Sequence, residues 1–192
     1  MGLGLHSRPA MKRGLVFGAI LSVAGACLVS RPAHAFEREW HEGAGVGLTA
    51  YPKYYSVGPA LGLNLGYGIS DVFDLKLELL GSYHEYSASS KTPSRSAEPY
   101  SVAAGLSYKL DVLQWIPYGA ILVGFQHIGG ALPVTEPFRR DDALAALVVG
   151  LDYELSRNWG LGASVRADML LSSPSEGEAV TTMLRAEYHW GF

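Results

Sequence analysis

Apolar and polar positions alternate with a period of two along nearly all of this chain beyond residue 41. That is the pattern of strands whose two faces meet unlike surroundings, and no helical apolar stripe of useful length competes with it. The first segment, Glu42 to Tyr51, sets Ala44, Val46, Leu48 and Ala50 against Gly43, Gly45, Gly47 and Thr49. In the second, Leu61, Leu63, Leu65, Tyr67 and Ile69 oppose Gly62, Asn64, Gly66 and Gly68, and in the third Leu75, Leu77, Leu79 and Tyr83 oppose Lys76, Glu78, Ser82 and His84. After a polar loop, Ser87 to Glu98, the fourth runs from Tyr100 to Lys109. The fifth, Ile116 to His127, is interrupted by Pro117 and is apolar on both faces in places, with Ile121, Val123 and Phe125 assigned to the apolar one. A second long loop, Ile128 to Asp141, precedes the sixth segment (Asp142 to Glu154), the seventh (Trp159 to Met169) and the last, Ala179 to Phe192. Gly, Pro, Ser, Asn and Asp separate them. The pattern predicts an all-β fold of eight antiparallel strands.

The connections narrow the architecture. Short turns follow the second, fourth and sixth segments and longer polar loops lie elsewhere, as expected when one rim of an up-and-down barrel faces the periplasm and the other the cell exterior. Aromatic residues on the apolar face collect near strand ends (Tyr51, Tyr67, Tyr83, Tyr100, Tyr108, Tyr153, Trp159, Tyr188, Trp190), where interfacial girdles belong. A secreted eight-stranded lipocalin-like barrel would share the strand count but turn its apolar face inward. Its water-facing positions would be Lys, Glu, Thr and Gln. Here Gly, Ala and Ser dominate the polar face, which suits side chains packed inside a narrow transmembrane β-barrel.

The 192-residue length, with 48% hydrophobic and 17% charged residues, suits one modest domain. Lys12-Arg13, an apolar run from Gly14 to Val29 and Ala33-His34-Ala35 have the order of a secretory leader over residues 1–35, with the barrel in 36–192 and either Met1 or Met11 as the start. Cleavage would remove Arg8, Lys12, Arg13 and Arg31 and no acidic residue, leaving 11 basic against 18 acidic groups, a balance of −7. An acidic chain disfavours nucleic acid as a partner. The single cysteine, Cys27, lies in the leader, and Ala24 to Cys27 is a poor lipoprotein box. The barrel is therefore expected to have no disulfide or cysteine metal site. His41, His84, His127 and His189 are too scattered to suggest a metal, and no cofactor is expected.

The ending, with Tyr188, Trp190 and a terminal Phe192 on one face, resembles the C-terminal assembly signal of bacterial outer-membrane β-barrels. Taken with the eight segments, the chain resembles the small outer-membrane barrels typified by the OmpA transmembrane domain and OmpX. The resemblance implies an outer-membrane location, outer-membrane lipid and lipopolysaccharide as surroundings, recognition of the last strand by the barrel-assembly machinery, and a monomer. The cell-wall-binding domain of full OmpA proteins has no counterpart.

The inward face then carries Lys76, Glu78, His84, Lys109, Asp152, Glu154, Arg166, Asp168, Arg185 and Glu187. A tight turn on Ser175 to Glu178 would set Arg166 opposite Glu187 and Asp168 opposite Arg185. Such a set either closes the lumen with mutually satisfied charges or lines a narrow channel for ions or small solutes. A third class is a lipid A-modifying enzyme, since similar barrels of the deacylase type place Ser, His and an acid on the outer wall. The nearest candidates, Glu85, Ser87 and His127, would be separated by a strand and lack the His-x-Ser pairing. No catalysis is expected. Lys91, Arg95, Arg139 and Arg140 are either solvated loop charges or contacts for lipopolysaccharide phosphates.

Overall fold

In the computed structural model, which describes residues 38–52, 56–86, 95–110, 114–130, 140–172 and 178–191, the alternating segments form strands. They are β1 (Trp40–Tyr51), β2 (Ser56–Gly68), β3 (Phe73–Ser82), β4 (His84–Tyr86), β5 (Arg95–Lys109), β6 (Trp115–Gly130), β7 (Asp141–Ser156), β8 (Trp159–Leu170) and β9 (Ala179–Trp190). β4 continues β3 past a break at Tyr83, and both pair with β5, so the wall has eight staves. Every pairing is antiparallel between chain neighbours, and β1 pairs with β9 to close the circle. Closure leaves no stave with an open edge, the condition for a sheet to cross hydrocarbon. The stretch expected as a leader, with Cys27, and Phe192 lie outside the described residues.

Several strands outrun the apolar alternation. β5 starts at Arg95, inside the stretch expected as loop, because Ser96 and Ala97 pair with β4 and Ala97 to Pro99 pair with β6. β6 likewise continues to Gly130 and passes through Pro117, whose carbonyl accepts from the Leu110 N–H at 2.9 Å. Polarity marks where apolar surroundings end, whereas the ladder persists beyond that level. Short connections over 69–72, 110–114 and 157–158 share one rim with both strand termini; the first connection on the opposite rim, 52–55, is also short.

The expected outward face is the exposed one: Leu61, Phe125 and Leu184 are each 68% accessible, as a lipid-facing surface should be in an isolated chain. The aromatic belt is lopsided. Trp40, Tyr67, Phe73, Tyr108, Trp115, Tyr153, Trp159, Tyr188 and Trp190 place at least one aromatic on every stave at the short-turn rim, with ring centroids 4.8 Å apart for Trp40–Tyr67 and 5.0 Å for Trp159–Tyr188. At the other rim Tyr83 and Tyr100 face outward, but Tyr51 does not. An odd-numbered β1 residue shares the inward parity of Thr49, and Tyr51 is buried in the lumen against His84.

The β8–β9 register differs from the expected one. Arg166 lies opposite Thr181 and Asp168 opposite Ala179, while Arg185 and Glu187 face Gly162 and Gly160. The expected hairpin assumed a turn over residues 175–178, but β8 stops at Leu170 and β9 starts at Ala179. The six-residue offset keeps every side chain on its predicted face, since the period is two, and changes every partner.

Candidate functional site: the ion-paired lumen

Inward positions of neighbouring strands combine long polar side chains with glycines. Tyr118 sits beside Gly150, His41 beside Gly66 and Asp152 beside Gly162 in direct cross-strand pairs. At Gly150 a Cβ would run into the Tyr118 ring, and at Gly43 it would lie 2.6 Å from Asn64 Oδ1 and 2.8 Å from Glu187 Cγ. Glycine is therefore required at both by the side chain that lies across it.

Two carboxylate-bridged arginines dominate the interior. Arg185 Nη2 lies 2.5 Å from Asp152 Oδ2, and its Nη1 lies 2.9 Å from Glu187 Oε1. Arg166 donates to Glu78 at 2.5 Å and to Asp168 at 2.7 Å, and reaches Ser101 at 3.3 Å. Lys76 pairs with Glu78 at 3.3 Å. The Tyr118 ring links the two groups, with Lys76 Nζ 5.0 Å and the Arg185 guanidinium 4.4 Å from its centroid. Towards the short-turn rim, Lys109 and His41 both reach Asp74, at 2.9 and 3.3 Å. His189 lies between Glu39 and Glu187. Towards the other rim hydroxyls and amides join the buried carboxylates of Asp142 and Asp168: Thr49 lies with Thr181 at 2.8 Å, Gln126 with Tyr51 at 3.3 Å, Ser56 with His84 at 3.2 Å and Ser172 with Asp142 at 2.6 Å.

Of the expected lumen residues, Lys76, Glu78, His84, Lys109, Asp152, Arg166, Asp168, Arg185 and Glu187 are buried inside the barrel, and Glu154 is only half-buried at the rim. The expected Arg166–Glu187 and Asp168–Arg185 pairs do not form across β8 and β9. Arg166 instead reaches across the bore to Glu78, and Arg185 to Asp152 two staves away. Sequence reading missed Asp74, Glu39, His41 and His189 as members, although each has inward parity. It also missed the apolar half of the lumen: Tyr118, Ala120 and Leu122 on β6 pack with Leu144, Ala146 and Val148 on β7. Segments apolar on both faces were the available signal.

The cavity among Thr49, Tyr51, Leu80, Gln126 and Asp168 is about 10 Å³, room for at most one water. The buried charges are stabilised chiefly by their partners, because loss of one partner strands the remaining ion away from water.

On the outer wall, His127 Nδ1 lies 2.6 Å from Asp141 Oδ1 and its ring stacks on Tyr100 with centroids 5.3 Å apart. Glu85 accepts instead from the Tyr83 hydroxyl at 3.4 Å, and β5 separates it from His127. Ser87 lies outside the described residues. His127 and Asp141 are the last register pair of β6 and β7, one residue into the stretch that the sequence pattern assigned to the loop. Among the described residues no group of three or more His, Cys, Asp or Glu is arranged to hold a metal ion.

The sequence model of the outer membrane protein β-barrel domain matches residues 19–190. No curated protein matches the chain. Among solved structures, OprG of Pseudomonas aeruginosa superposes with a TM-score of 0.61 at 12% identity, over 81% of this chain and 97% of that one. Ail, the attachment invasion locus protein of Yersinia pestis, in complex with the heparin analogue sucrose octasulfate, gives 0.58 at 18% identity, over 80% and 99%. The N-terminal β-barrel domain of OprF from Pseudomonas aeruginosa gives 0.51 at 20% identity, over 80% and 98%. At these identities the likeness is one of fold.

Proposed function

Because the chain belongs to the outer membrane protein β-barrel domain family, and so resides in the bacterial outer membrane, we propose that it is a plugged barrel with a structural or surface-interacting role. The observation that carries this is the pair of bridged arginines: Arg166 on β8 reaches across the bore to Glu78 on β3, and Arg185 is held between Asp152 and Glu187 with the Tyr118 ring against it. An ion would have to displace these pairs and pass the apolar β6–β7 wall, and desolvation in such a site costs several kcal/mol per charge, roughly. Recordings from purified protein in planar bilayers are expected to show no large, stable, porin-like conductance. Such a conductance would favour the channel reading instead.

The protein is non-catalytic in this reading. The His127–Asp141 pair has the Nδ1-to-carboxylate arrangement of a general base, but no hydroxyl stands among its hydrogen-bond partners in the described residues. Lipid A incubated with the protein should keep all its acyl chains by mass spectrometry. For surface interaction, the sulfated ligand in the Ail complex motivates anionic sugars and lipopolysaccharide phosphates as partners of Lys91, Arg95, Arg139 and Arg140. Replacing these four by Ser should weaken retention on lipopolysaccharide without altering barrel stability. The assembly machinery remains the proposed partner of Tyr188, Trp190 and Phe192, and the protein acts as a monomer.

A further inference from the structure

The lipid-facing wall carries little charge. Among the described strand residues with outward parity, Glu85, Glu98, His127 and Asp141 stand at the long-loop rim, and at the short-turn end Glu42 stands alone. Glu42 is exposed and lies between Leu65 on β2 and Tyr188 on β9. Towards the rim it is bordered by rings that span the seam where β1 meets β9: the Trp40 centroid is 4.8 Å from that of Tyr67 and 6.4 Å from that of Trp190, and Trp190 is 6.2 Å from Tyr188. Away from the rim, the next outward row is Leu161, Ala186, Ala44 and Leu63 across β8, β9, β1 and β2, two small residues between two large ones.

A carboxylate on a lipid-facing wall is costly unless a cation meets it. Glu42 has no hydrogen bond or ion pair among the described residues, and Arg38 stands four residues back, beyond the Trp40 position. The cation must therefore come from what the wall faces, which is lipid. The surroundings select its kind. Aromatic faces attract an ammonium, and tryptophan and tyrosine belong at the level of the headgroups. A primary ammonium also brings N–H donors for a charge-assisted bond to the carboxylate, which a quaternary ammonium lacks. An anionic headgroup is repelled.

We propose that Glu42 is the centre of a binding site for one phospholipid whose headgroup ends in a primary ammonium. The ammonium rests on the Glu42 carboxylate beside the Tyr188 and Trp40 rings, and an acyl chain runs over Ala44 and Ala186 between Leu63 and Leu161. The lipid thereby covers the seam that closes the barrel, with β1 under one side of it and β9 under the other. Chain and headgroup act together, because an exposed ion pair alone is worth little in water. This inference rests on the outer wall, and it holds whether or not the lumen conducts.

The test uses the purified full barrel in detergent, incubated with equal amounts of phosphatidylethanolamine, phosphatidylcholine and phosphatidylglycerol of matched chains, with the retained lipid counted by native mass spectrometry. Phosphatidylethanolamine is expected to be retained about fivefold or more over each of the others, the scale of one charge-assisted hydrogen bond. Glu42→Gln should bring it down to the phosphatidylcholine level. Glu98→Gln, which removes an exposed outward carboxylate at the other rim, should leave the preference intact. Phosphoethanolamine without acyl chains should not displace the lipid. If Glu42→Gln does not fold, the comparison of headgroups on the unaltered barrel decides alone. Equal retention of the three lipids, a preference that survives Glu42→Gln or falls as far in Glu98→Gln, or displacement by soluble phosphoethanolamine would each overturn the site.

Discussion

At the scale of single residues, the lumen depends on unequal neighbours. Arg185 lies between Gly45 and Gly162 on the adjoining strands and Tyr118 lies over Gly150, so room and charge are supplied by different parts of the chain. Arg185→Met is expected to cost about 3–5 kcal/mol, because Asp152 is left buried and Glu187 loses its nearest cation. Asp152→Leu added to Arg185→Met should recover part of that loss, since one stranded carboxylate goes with it. Urea unfolding of the refolded variants in phospholipid vesicles measures both. Gly150→Val makes a steric prediction: the added methyls push the Tyr118 ring off the Gly150 backbone and away from Arg185. A cost of about 1–3 kcal/mol is expected in the same assay, typical of overpacking a close-fitted site.

For the elements, the sequence pattern named the staves and their faces but not their registers. Alternation says which residues point inward. It is unchanged by any even slip, and so it could not choose between the expected Arg166–Glu187 pairing and the observed Arg166–Thr181 one. Cysteine pairs distinguish the two directly, because the only native cysteine, Cys27, lies outside both strands. Ala167→Cys with Val180→Cys, which are register partners on the outer face, should cross-link in high yield on oxidation. Ala167→Cys with Ala186→Cys, the pair demanded by the other register, should stay reduced. Element boundaries were legible only where a turn residue coincided with the end of the apolar run, as at Ser156 to Trp159. β5 and β6 outrun their apolar parts because the ladder needs only backbone partners.

Over the whole molecule, the two rims are unequal. All four tryptophans, Trp40, Trp115, Trp159 and Trp190, lie at the short-turn end, within an aromatic ring to which every stave contributes. Indoles favour the interface, where an apolar body and a polar N–H can both be satisfied. Bromine placed high on the acyl chains, near the headgroups, should therefore quench tryptophan fluorescence more strongly than bromine at the chain ends, and quencher confined to the periplasm-facing leaflet should account for most of the effect. Equal quenching from both leaflets would contradict the assigned orientation.

The sequence by itself determined the all-β class, the eight staves, the outward apolar face and the inward parity of the polar positions, because these follow from the two-residue period and from composition, both local properties. The tertiary structure alone decided that Arg166 reaches Glu78 and Arg185 reaches Asp152, that Tyr51 turns inward against His84, and that His41 meets His189 on the closing seam. Those contacts join staves that are distant in sequence, and their geometry is set by the shear with which the sheet closes, a quantity that no single strand carries.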